Sequence, residues 1–291
     1  MIVVKIWEGL GNQLFQYAYA RALQLRQNEK VYLDFSIYSN NSYDPKRTHR
    51  FQQLSNFRIT LKEYKDLNKY YFFLNEKNLL NQCIMYLSEK EIFPYKYFSE
   101  KNVAFKPELL QVQGNYYLQG WFQNEKYFKD YENVIRRELR LKKRIKIGNE
   151  LKEILKNQNT VSVHVRRGDY KKHGEILPIE YYNRAIEQMN TLIEKPLFCI
   201  FSDEIEWVEK NMKFAGKCFF VNRNHELTNY EELIIMSHCQ HNIIANSTYS
   251  WWGAWLNGNK DKIVIGPKDW FLSKLGTNTG INIMPEGWIK L

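Results

Sequence analysis

The sequence predicts an α/β protein made of two units, each built around a parallel β-sheet. Three observations support this fold class. The first 35 residues read as a strand, a glycine turn, a helix and a second strand, which is how a parallel sheet begins. Strand and helix patterns alternate again from about residue 161 to residue 266. The chain has 291 residues, more than the roughly 100–200 of a single domain.

The N-terminal unit is expected to cover residues 1–150. Residues 2–6 and 30–35 are short runs of mainly apolar side chains and read as strands. The helix between them is predicted by apolar residues at helical spacing, namely Leu14, Ala18, Ala22 and Leu25. Further along the chain, we expect a strand that ends at Gly120 and a helix that begins near Asn124.

The C-terminal unit, residues 151–291, repeats the α/β pattern more regularly. Strands are predicted at residues 161–165, 197–201, 218–221, 242–246 and 262–266. Helices are predicted at about 179–194, 204–212 and 229–238. Three of the strands end in polar segments, "HVRRGD", "FSDE" and "ANSTYS". Because parallel sheets bind ligands at the carboxyl ends of their strands, these segments form a candidate site.

The charge balance favours a negatively charged partner. The composition is 44% hydrophobic and 25% charged, as in ordinary globular proteins, and the net charge is +10. Nucleic acid, an anionic membrane surface and a phosphorylated small molecule all fit this charge. Much of the excess lies in the basic run at residues 136–146. We interpret this run as a solvated connection between the units, with a membrane or nucleic-acid surface as the alternative.

Cysteine usage and hydropathy predict a cytoplasmic protein. The four cysteines show no CxxC spacing, and Cys199 and Cys239 lie in apolar stretches typical of buried free thiols. The apolar run at the N-terminus is too short for a signal peptide, and Glu8 interrupts it. No stretch approaches the roughly 20 apolar residues of a membrane-spanning helix.

The segment after the strand at 161–165 is typical of a phosphate site. Arg166 and Arg167 carry rigid guanidinium forks that match phosphate oxygens. Gly168 leaves room for a close approach, and Asp169 can hold one arginine in place. The alternative is an arginine–aspartate pair that only braces the loop.

The other two strand ends offer acceptors and hydroxyls. Asp203, after Ser202, could accept hydrogen bonds from guanine or ribose, or bind a metal. The segment after residue 245 supplies Asn246, Ser247, Thr248 and Ser250 where a strand turns into a helix, which is a favourable place for an anion. Helix N-caps explain these residues equally well, and the nearby Trp251, Trp252 and Trp255 are expected to pack the helix.

No metal site is predicted. The sequence has no Asp-x-Asp at a strand end and no G-x-x-x-x-G-K-[ST] loop. Neutralising a phosphate would therefore fall to arginines and backbone amides. Asn12 and Gln13, in the turn "EGLGNQ", could bind sugar hydroxyls or cap the helix. His164 is either a core histidine or a ligand contact beside the arginine pair.

Five segments in order are similar to the α-1,2-fucosyltransferase family, glycosyltransferase family eleven. They are "GLGNQLFQYA" at 9–18, "YLQGWFQNEKYF" at 117–128, "HVRRGDY" at 164–170, "FSDE" at 201–204 and "IIANSTYSWWGAWL" at 243–256. The resemblance covers nearly the whole chain. It implies a GT-B-like architecture, in which two Rossmann-like domains face each other across a cleft.

The resemblance also implies the reaction. L-Fucose would pass with inversion from GDP-β-L-fucose to the 2-hydroxyl of a terminal β-galactose, in O-antigen or surface glycan synthesis, without a cofactor or obligatory metal. The C-terminal unit would bind the donor and the N-terminal unit the acceptor, an oligosaccharide or a lipid-linked glycan at the inner membrane surface.

The resemblance assigns roles to residues of this sequence. Arg166 would hold the β-phosphate, and Asn12 would lie close to the reacting sugar. Arg167 and Asp169 would support the Arg166 loop, Asp203 would lie near the guanosine, and Ser247 and Thr248 near the phosphates. The other polar residues of these motifs, His164, Ser202, Asn246 and Ser250, are also expected to contact the donor. Gln13 and Trp121 would contact the acceptor, whose selectivity we expect in residues 40–60 and 64–98.

The general base is left open. Glu8, His173, Glu175 and Asp169 are candidates, and a dissociative reaction could proceed without one. The family more commonly has glycine at position 8, so Glu8 is a departure. Two other functions remain open: a GT-B enzyme for another nucleotide sugar, and a nucleic-acid-binding protein, which the ordered strand-end motifs disfavour.

Overall fold

A computed structural model describes residues 1–39, 50–66, 78–89, 96–224, 226–272, 281 and 283–291. The chain separates into two compact units, Met1–Lys142 and Lys143–Leu291. Residue 150, where the sequence analysis placed the boundary, lies in the first helix of the second unit, Asn149–Leu155. The basic run spans the division between the units, and its charged side chains are mostly exposed.

The first unit contains a five-stranded parallel sheet of order β3-β2-β1-β5-β4. Its strands are β1 (Ile2–Lys5), β2 (Val31–Asp34), β3 (Lys62–Glu63), β4 (Lys96–Ser99) and β5 (Tyr116–Gln119). Its α-helices are Leu10–Gln27, Ser36–Ser39, Leu79–Glu89 and Glu132–Glu138. The predicted first strand, helix and second strand are confirmed. The helix expected near Asn124 is instead a single 3-10 turn, Glu125–Tyr127, which the Asn124 side chain caps.

The second unit contains a six-stranded parallel sheet of order β11-β10-β9-β6-β7-β8. Its strands are β6 (Thr160–Val165), β7 (Leu197–Ser202), β8 (Lys217–Phe220), β9 (His241–Ile243), β10 (Val264–Gly266) and β11 (Ile289–Lys290). Its α-helices are Asn149–Leu155, Ile179–Leu192, Ile205–Asn211, Asn229–His238 and Thr248–Leu256. The α/β class with two parallel sheets is therefore confirmed.

Each sheet has a topological switch point, where the chain stops adding strands on one side of its first strand and continues on the other side. Counted within the second unit, its strand order is the 3-2-1-4-5-6 order of dinucleotide-binding folds. The chain runs from β6 outward to β8, then returns to place β9 on the other side of β6. In the first unit, β1 lies between β2 and β5 in the same way. Ligands of open α/β sheets bind outside the carboxyl ends of the two strands at such a switch point.

The helix that follows β9 is buried. Trp251 and Trp252 are fully buried and Trp255 is 4% exposed, which confirms that they pack the helix. A side chain at Gly253 would lie 3.0 Å from Cβ of Met236, so glycine lets helix Thr248–Leu256 approach helix Asn229–His238 closely. This packing fixes the start of the helix next to the end of β9.

The structure also bears on the predicted buried cysteines and on membrane-spanning helices. Cys199 and Cys239 are buried free thiols, as predicted. Among the described residues, no helix is both long enough and apolar enough to cross a membrane.

Candidate functional site

The polar residues after β6 and β7 form a cluster of ion pairs. Nη2 of Arg166 lies 2.5 Å from Oδ1 of Asp169, and Nη1 lies 2.8 Å from Oδ2 of Asp203. Burial lowers the pKa of Arg166, but the carboxylates of Asp203 and Asp169 outweigh this effect, so the pKa is raised and the group stays cationic. A guanidinium has five N–H bonds, and these two pairs occupy two of them. Arg166 is thus held firmly and still has N–H groups to donate.

Gly168 allows the carboxylate of Asp203 to reach the arginine loop. A Cβ atom at position 168 would lie 2.5 Å from Oδ2 of Asp203, closer than any real contact. The other oxygen of this carboxylate accepts a hydrogen bond from the backbone N–H of Arg167 at 3.0 Å. The sequence predicts that Gly168 leaves room for a ligand; in the structure, the group that approaches it is Asp203.

The Arg167 side chain makes contacts of its own, separate from the Arg166 pairs. Its Nε donates to Oε2 of Glu204 at 3.1 Å, and its guanidinium carbon lies 3.2 Å from the centre of the Trp207 ring. Lys171 also pairs with Glu204. These contacts anchor Arg167 to Glu204 and to the helix that follows β7.

The end of β9 meets the loop after β6 at the switch point. The Tyr170 hydroxyl donates to the backbone carbonyl of Asn246 at 3.1 Å. The Asn246 side chain donates to the carbonyl of Glu175 at 3.0 Å, while its Oδ1 is buried without a partner among the described residues. The segments predicted from sequence to converge at the strand ends therefore do so within this unit.

The start of helix Thr248–Leu256 has no side-chain cap. Ser247 is the N-cap residue, yet its side chain makes no capping hydrogen bond. Ser250 is buried, and its single hydroxyl proton is shared between the carbonyls of Ala245 and Ser247, whose oxygens lie 3.4 and 3.3 Å from the hydroxyl oxygen. Ser250 is thus committed to the helix start, and the backbone N–H groups of the first turn keep their capacity for a ligand.

Ser202 is the last residue of β7, and His164 is the second-last residue of β6. The Ser202 hydroxyl donates to the carbonyl of Val165 at 2.8 Å and accepts from the N–H of Glu204 at 3.0 Å. His164 is 4% exposed, and its ring lies 5.3 Å from that of Tyr249. Burial and the charge of Arg166 lower the pKa of His164 to about 3. The imidazole is therefore neutral at physiological pH and does not serve as a proton carrier there.

Two of the candidate bases lie in the second unit after the arginine loop. His173 is exposed. Glu175 is half-buried, and its Oε2 accepts from the backbone N–H of Leu272 at 2.9 Å. Glu175 therefore braces the loop, whereas His173 lies at the surface.

The predicted residues of the first unit lie after β1 and β5. Asn12 is half-buried, and its Oδ1 accepts from Nε2 of Gln123 at 2.9 Å. Gln13 is buried: its Nε2 donates to the carbonyls of Glu8 and Phe51, at 2.9 and 2.8 Å, and its Oε1 accepts from the N–H of Gln53 at 2.9 Å. The side-chain amide of Gln13 is thus hydrogen-bonded to three backbone groups.

Glu8 has an unusual backbone conformation. Its φ angle is +67°, in the left-handed region that favours glycine, and its side chain is exposed. Its carbonyl accepts from the Tyr38 hydroxyl at 2.9 Å as well as from Gln13. This conformation gives a physical reason for the glycine that the family more commonly has at position 8.

Several residues at these sites were missed from the sequence. Tyr170 and Glu204 lie inside the quoted motifs, so their position next to Asp169 and Asp203 could have identified them. Trp207, which stacks on Arg167, and Trp7, whose ring centre is 5.2 Å from that of Trp121, had no signal beyond their type. No group of three or more His, Cys, Asp or Glu side chains that could hold a metal ion occurs among the described residues.

Comparison with known proteins gives matches along the whole chain. The family model described as Glycosyl transferase family 11 matches residues 1–291. The O-antigen biosynthesis glycosyltransferase WbnK of Escherichia coli is 33% identical over 308 residues, 97% of this chain and 98% of that protein. An alpha-1,2-colitosyltransferase of Escherichia coli is 29% identical over 305 residues, 100% of this chain and 99% of that protein. Human galactoside alpha-(1,2)-fucosyltransferase 1 is 30% identical over 105 residues, 34% of this chain and 29% of that protein.

Proposed function

Because the chain belongs to glycosyl transferase family 11, we propose that it moves L-fucose from GDP-β-L-fucose to the 2-hydroxyl of a terminal β-galactose, with inversion. The chain is a glycosyltransferase, and the resemblance based on the five sequence segments is confirmed. The observation that carries the donor assignment is Arg166, fixed between two carboxylates at the switch point of the second sheet.

The second unit is suited to stabilise a departing nucleoside diphosphate. Glycosyl transfer passes through an oxocarbenium-like transition state, and negative charge builds on the leaving phosphate. Arg166 would donate its remaining N–H groups to the β-phosphate, and the first turn of helix Thr248–Leu256 would add backbone N–H groups. Asp169 and Asp203 would keep the guanidinium oriented before the donor arrives. A fixed cation of this kind supplies the charge stabilisation for which other enzymes use a metal ion, so we propose that transfer needs none.

The first unit would bind the acceptor and provide the general base that takes the proton of its hydroxyl. Asp169 and Glu175 are engaged with Arg166 and with the Leu272 N–H, which leaves Glu8 and His173 as exposed candidates. We favour Glu8 as a base particular to this chain rather than one common to the family, because it follows β1 at the switch point of the first sheet and a conformation unfavourable for glutamate is maintained there.

We expect Glu8→Gln to lower kcat by about 10²-fold or more and to change the pH–rate profile, because the amide cannot accept the proton of the attacking hydroxyl. His173→Ala is the matched comparison, because this side chain is equally exposed but lies in the other unit. If the Glu8→Gln profile matches that of the wild type, Glu8 is not the base; an altered profile in His173→Ala would move the role to His173.

The donor sugar has one alternative with specific support. The relative named as a colitosyltransferase matches the full length of this chain, so a colitosyl group is a second candidate. Purified protein would be offered GDP-fucose, GDP-colitose, GDP-mannose and UDP-sugars with a panel of β-galactosides, and products would be identified by mass. We expect the highest kcat/KM with GDP-fucose; a clear preference for GDP-colitose or a UDP-sugar would replace this proposal.

The acceptor is expected to be a surface glycan precursor. The relative WbnK is named for O-antigen biosynthesis, which supports a lipid-linked acceptor at the cytoplasmic face of the membrane. The exposed basic run at residues 136–146 is our candidate contact with that anionic surface. Sedimentation with anionic but not neutral lipid vesicles would support this contact, and no difference between them would exclude it.

A further inference from the structure

Two indoles meet at the switch point of the first sheet. Trp7 follows β1, and Trp121 follows β5, the neighbouring parallel strand. Their ring centres are 5.2 Å apart with 44° between the planes, and both side chains are only partly buried, unlike the fully buried Trp251 and Trp252. We propose that Trp7 and Trp121 form the surface that binds the acceptor hexose, and that the buried Glu100 positions them. This inference rests on the proposed function.

The backbone around both indoles is held in costly conformations. Glu8, next to Trp7, has φ +67°, and Phe122, next to Trp121, has φ +50°. A left-handed conformation is unfavourable for any residue that carries a Cβ atom. Gly120 is also required, because a Cβ atom there would lie 2.8 Å from the Phe122 ring. Such strain persists only where the surroundings enforce it, and it is concentrated at functional sites.

Glu100 enforces the conformation after β5. Its side chain is buried, with 4% exposed, and lies directly after β4. Oε2 accepts hydrogen bonds from the backbone N–H of Trp121 at 2.6 Å and of Phe122 at 3.0 Å. Burying a carboxylate is expensive even with such partners, and an ordinary strand end does not need one. We take the cost of burying this carboxylate as a sign that the position of Trp121 is needed for function.

The Glu100 carboxyl group is easier to protonate than that of an exposed glutamate. Burial raises its pKa to about 7, against the hydrogen bonds from Phe122 and Trp121 and the charge of Lys106. The hydroxyls of Tyr19 and Tyr127 also interact with it electrostatically. Its Oε1 is buried without a partner among the described residues. The contact with the two backbone amides therefore uses a single oxygen, which a glutamine could also supply.

A second buried side chain ties the two strand ends together. Oε1 of Gln16 accepts from the backbone N–H of Trp7 at 3.0 Å, and its Nε2 donates to the Gly120 carbonyl at 3.2 Å. The indole N–H of Trp7 donates to the same carbonyl at 3.2 Å. Trp7 and Trp121 are thus fixed to each other through backbone and side chain, so a ligand need not order them.

The chemistry of this surface fits a hexose. A pyranose ring has one face of C–H groups, which packs on aromatic rings, and a rim of hydroxyls. The half-buried Asn12, bonded to Gln123 in the following loop, and the exposed Glu8 carboxylate lie on the segments that carry the indoles. In galactose the C–H groups at positions 3, 4 and 5 share one face, which suits this arrangement.

The test separates acceptor binding from donor binding. We expect Trp121→Ala and Trp7→Ala to raise KM for a β-galactoside by about tenfold, while the Kd for GDP measured by calorimetry stays within twofold. Tyr116→Ala is the control for removal of a partly buried aromatic side chain in the same unit, because Tyr116 begins β5, at the other end of the strand from Trp121. Trp121→Phe keeps an aromatic ring and is expected to lose less, which covers the case in which an alanine variant fails to fold.

Glu100 is tested as a positioning residue by the contrast between two variants. Glu100→Ala removes the acceptor for both amides and should raise the galactoside KM about tenfold, whereas Glu100→Gln should retain most of the wild-type KM. Equal KM values in these two variants would overturn the positioning role. An unchanged KM in folded Trp121→Ala and Trp7→Ala would overturn the indole surface.

Binding of galactose to the indoles can be tested even if the proposed transfer reaction is wrong. If the wild type transfers no sugar from GDP-fucose, saturation-transfer NMR with methyl β-galactoside still tests the indoles. We expect the strongest saturation at the C–H protons of positions 3, 4 and 5 in the wild type and its loss in Trp121→Ala. Saturation that is absent in the wild type, or equal in both proteins, would exclude the surface.

Discussion

Replacing Arg166 by alanine is expected to abolish sugar transfer while the protein stays folded. The guanidinium is the cation best placed to stabilise charge on the departing diphosphate, because Asp169 and Asp203 hold it at 2.5 and 2.8 Å. Loss of one preorganised donor typically costs on the order of 10²–10³-fold in kcat. The alanine variant also leaves two neighbouring carboxylates without their cation, which should repel GDP. We therefore expect a loss at the upper end of this range or beyond, together with weaker GDP binding.

Two comparisons make this prediction specific. Arg184→Ala removes an exposed arginine from helix Ile179–Leu192 in the same unit and should leave kcat and GDP affinity unchanged. Arg166→Lys keeps one positive charge but cannot bridge both carboxylates as a planar fork, so its kcat should lie between those of the wild type and Arg166→Ala. Near-normal turnover in a folded Arg166→Ala protein would remove Arg166 from the reaction.

Gly168→Ala is expected to lower kcat/KM by about 10²-fold although it adds only a methyl group. That methyl would lie 2.5 Å from Oδ2 of Asp203, so the carboxylate must move. Its movement breaks the 2.8 Å pair with Arg166 and the 3.0 Å hydrogen bond from the Arg167 N–H. Misplacement of a catalytic group by about 1 Å can cost about 10²-fold in rate. The expected effect is thus transmitted from Gly168 through Asp203 to Arg166.

A double-mutant cycle tests this route. Asp203→Ala removes the group with which the new methyl collides, so Gly168→Ala should add little further loss in that background. Gly258→Ala is the matched control, because a Cβ atom there meets nothing within 4 Å. Additive losses from Gly168→Ala and Asp203→Ala would show that the glycine acts in some other way.

The site of the second unit could largely be predicted from sequence, because parallel strands bring their carboxyl ends to one edge of a sheet. Arg166, Asp203 and Asn246 follow three apolar runs, and this was sufficient to place them together. The strand order could not be predicted, since apolar runs do not reveal that β9 pairs with β6 rather than with β8. The switch point between β6 and β9 therefore became known only from the structure.

The roles of individual side chains were harder to predict than their positions. Gln13 reads like a sugar-binding amide, yet three backbone groups occupy it. Glu100 follows a short strand without any motif, and its role depends on a contact with Trp121 and Phe122, more than 20 residues away. The aromatic segment and the loop proposed to select the acceptor lie partly outside the described residues, at 40–49, 67–77 and 90–95.

The central claim is that the chain transfers fucose from GDP-fucose to a galactose 2-hydroxyl, and the structure of the product tests it most directly. Purified protein would be incubated with GDP-β-L-fucose and a β-galactoside, and the product's linkage and anomeric configuration would be determined by NMR. We predict a single α-linked fucose on the 2-hydroxyl of the galactose. A β-linked fucose, a linkage to another hydroxyl, or no transfer by the folded protein would contradict it.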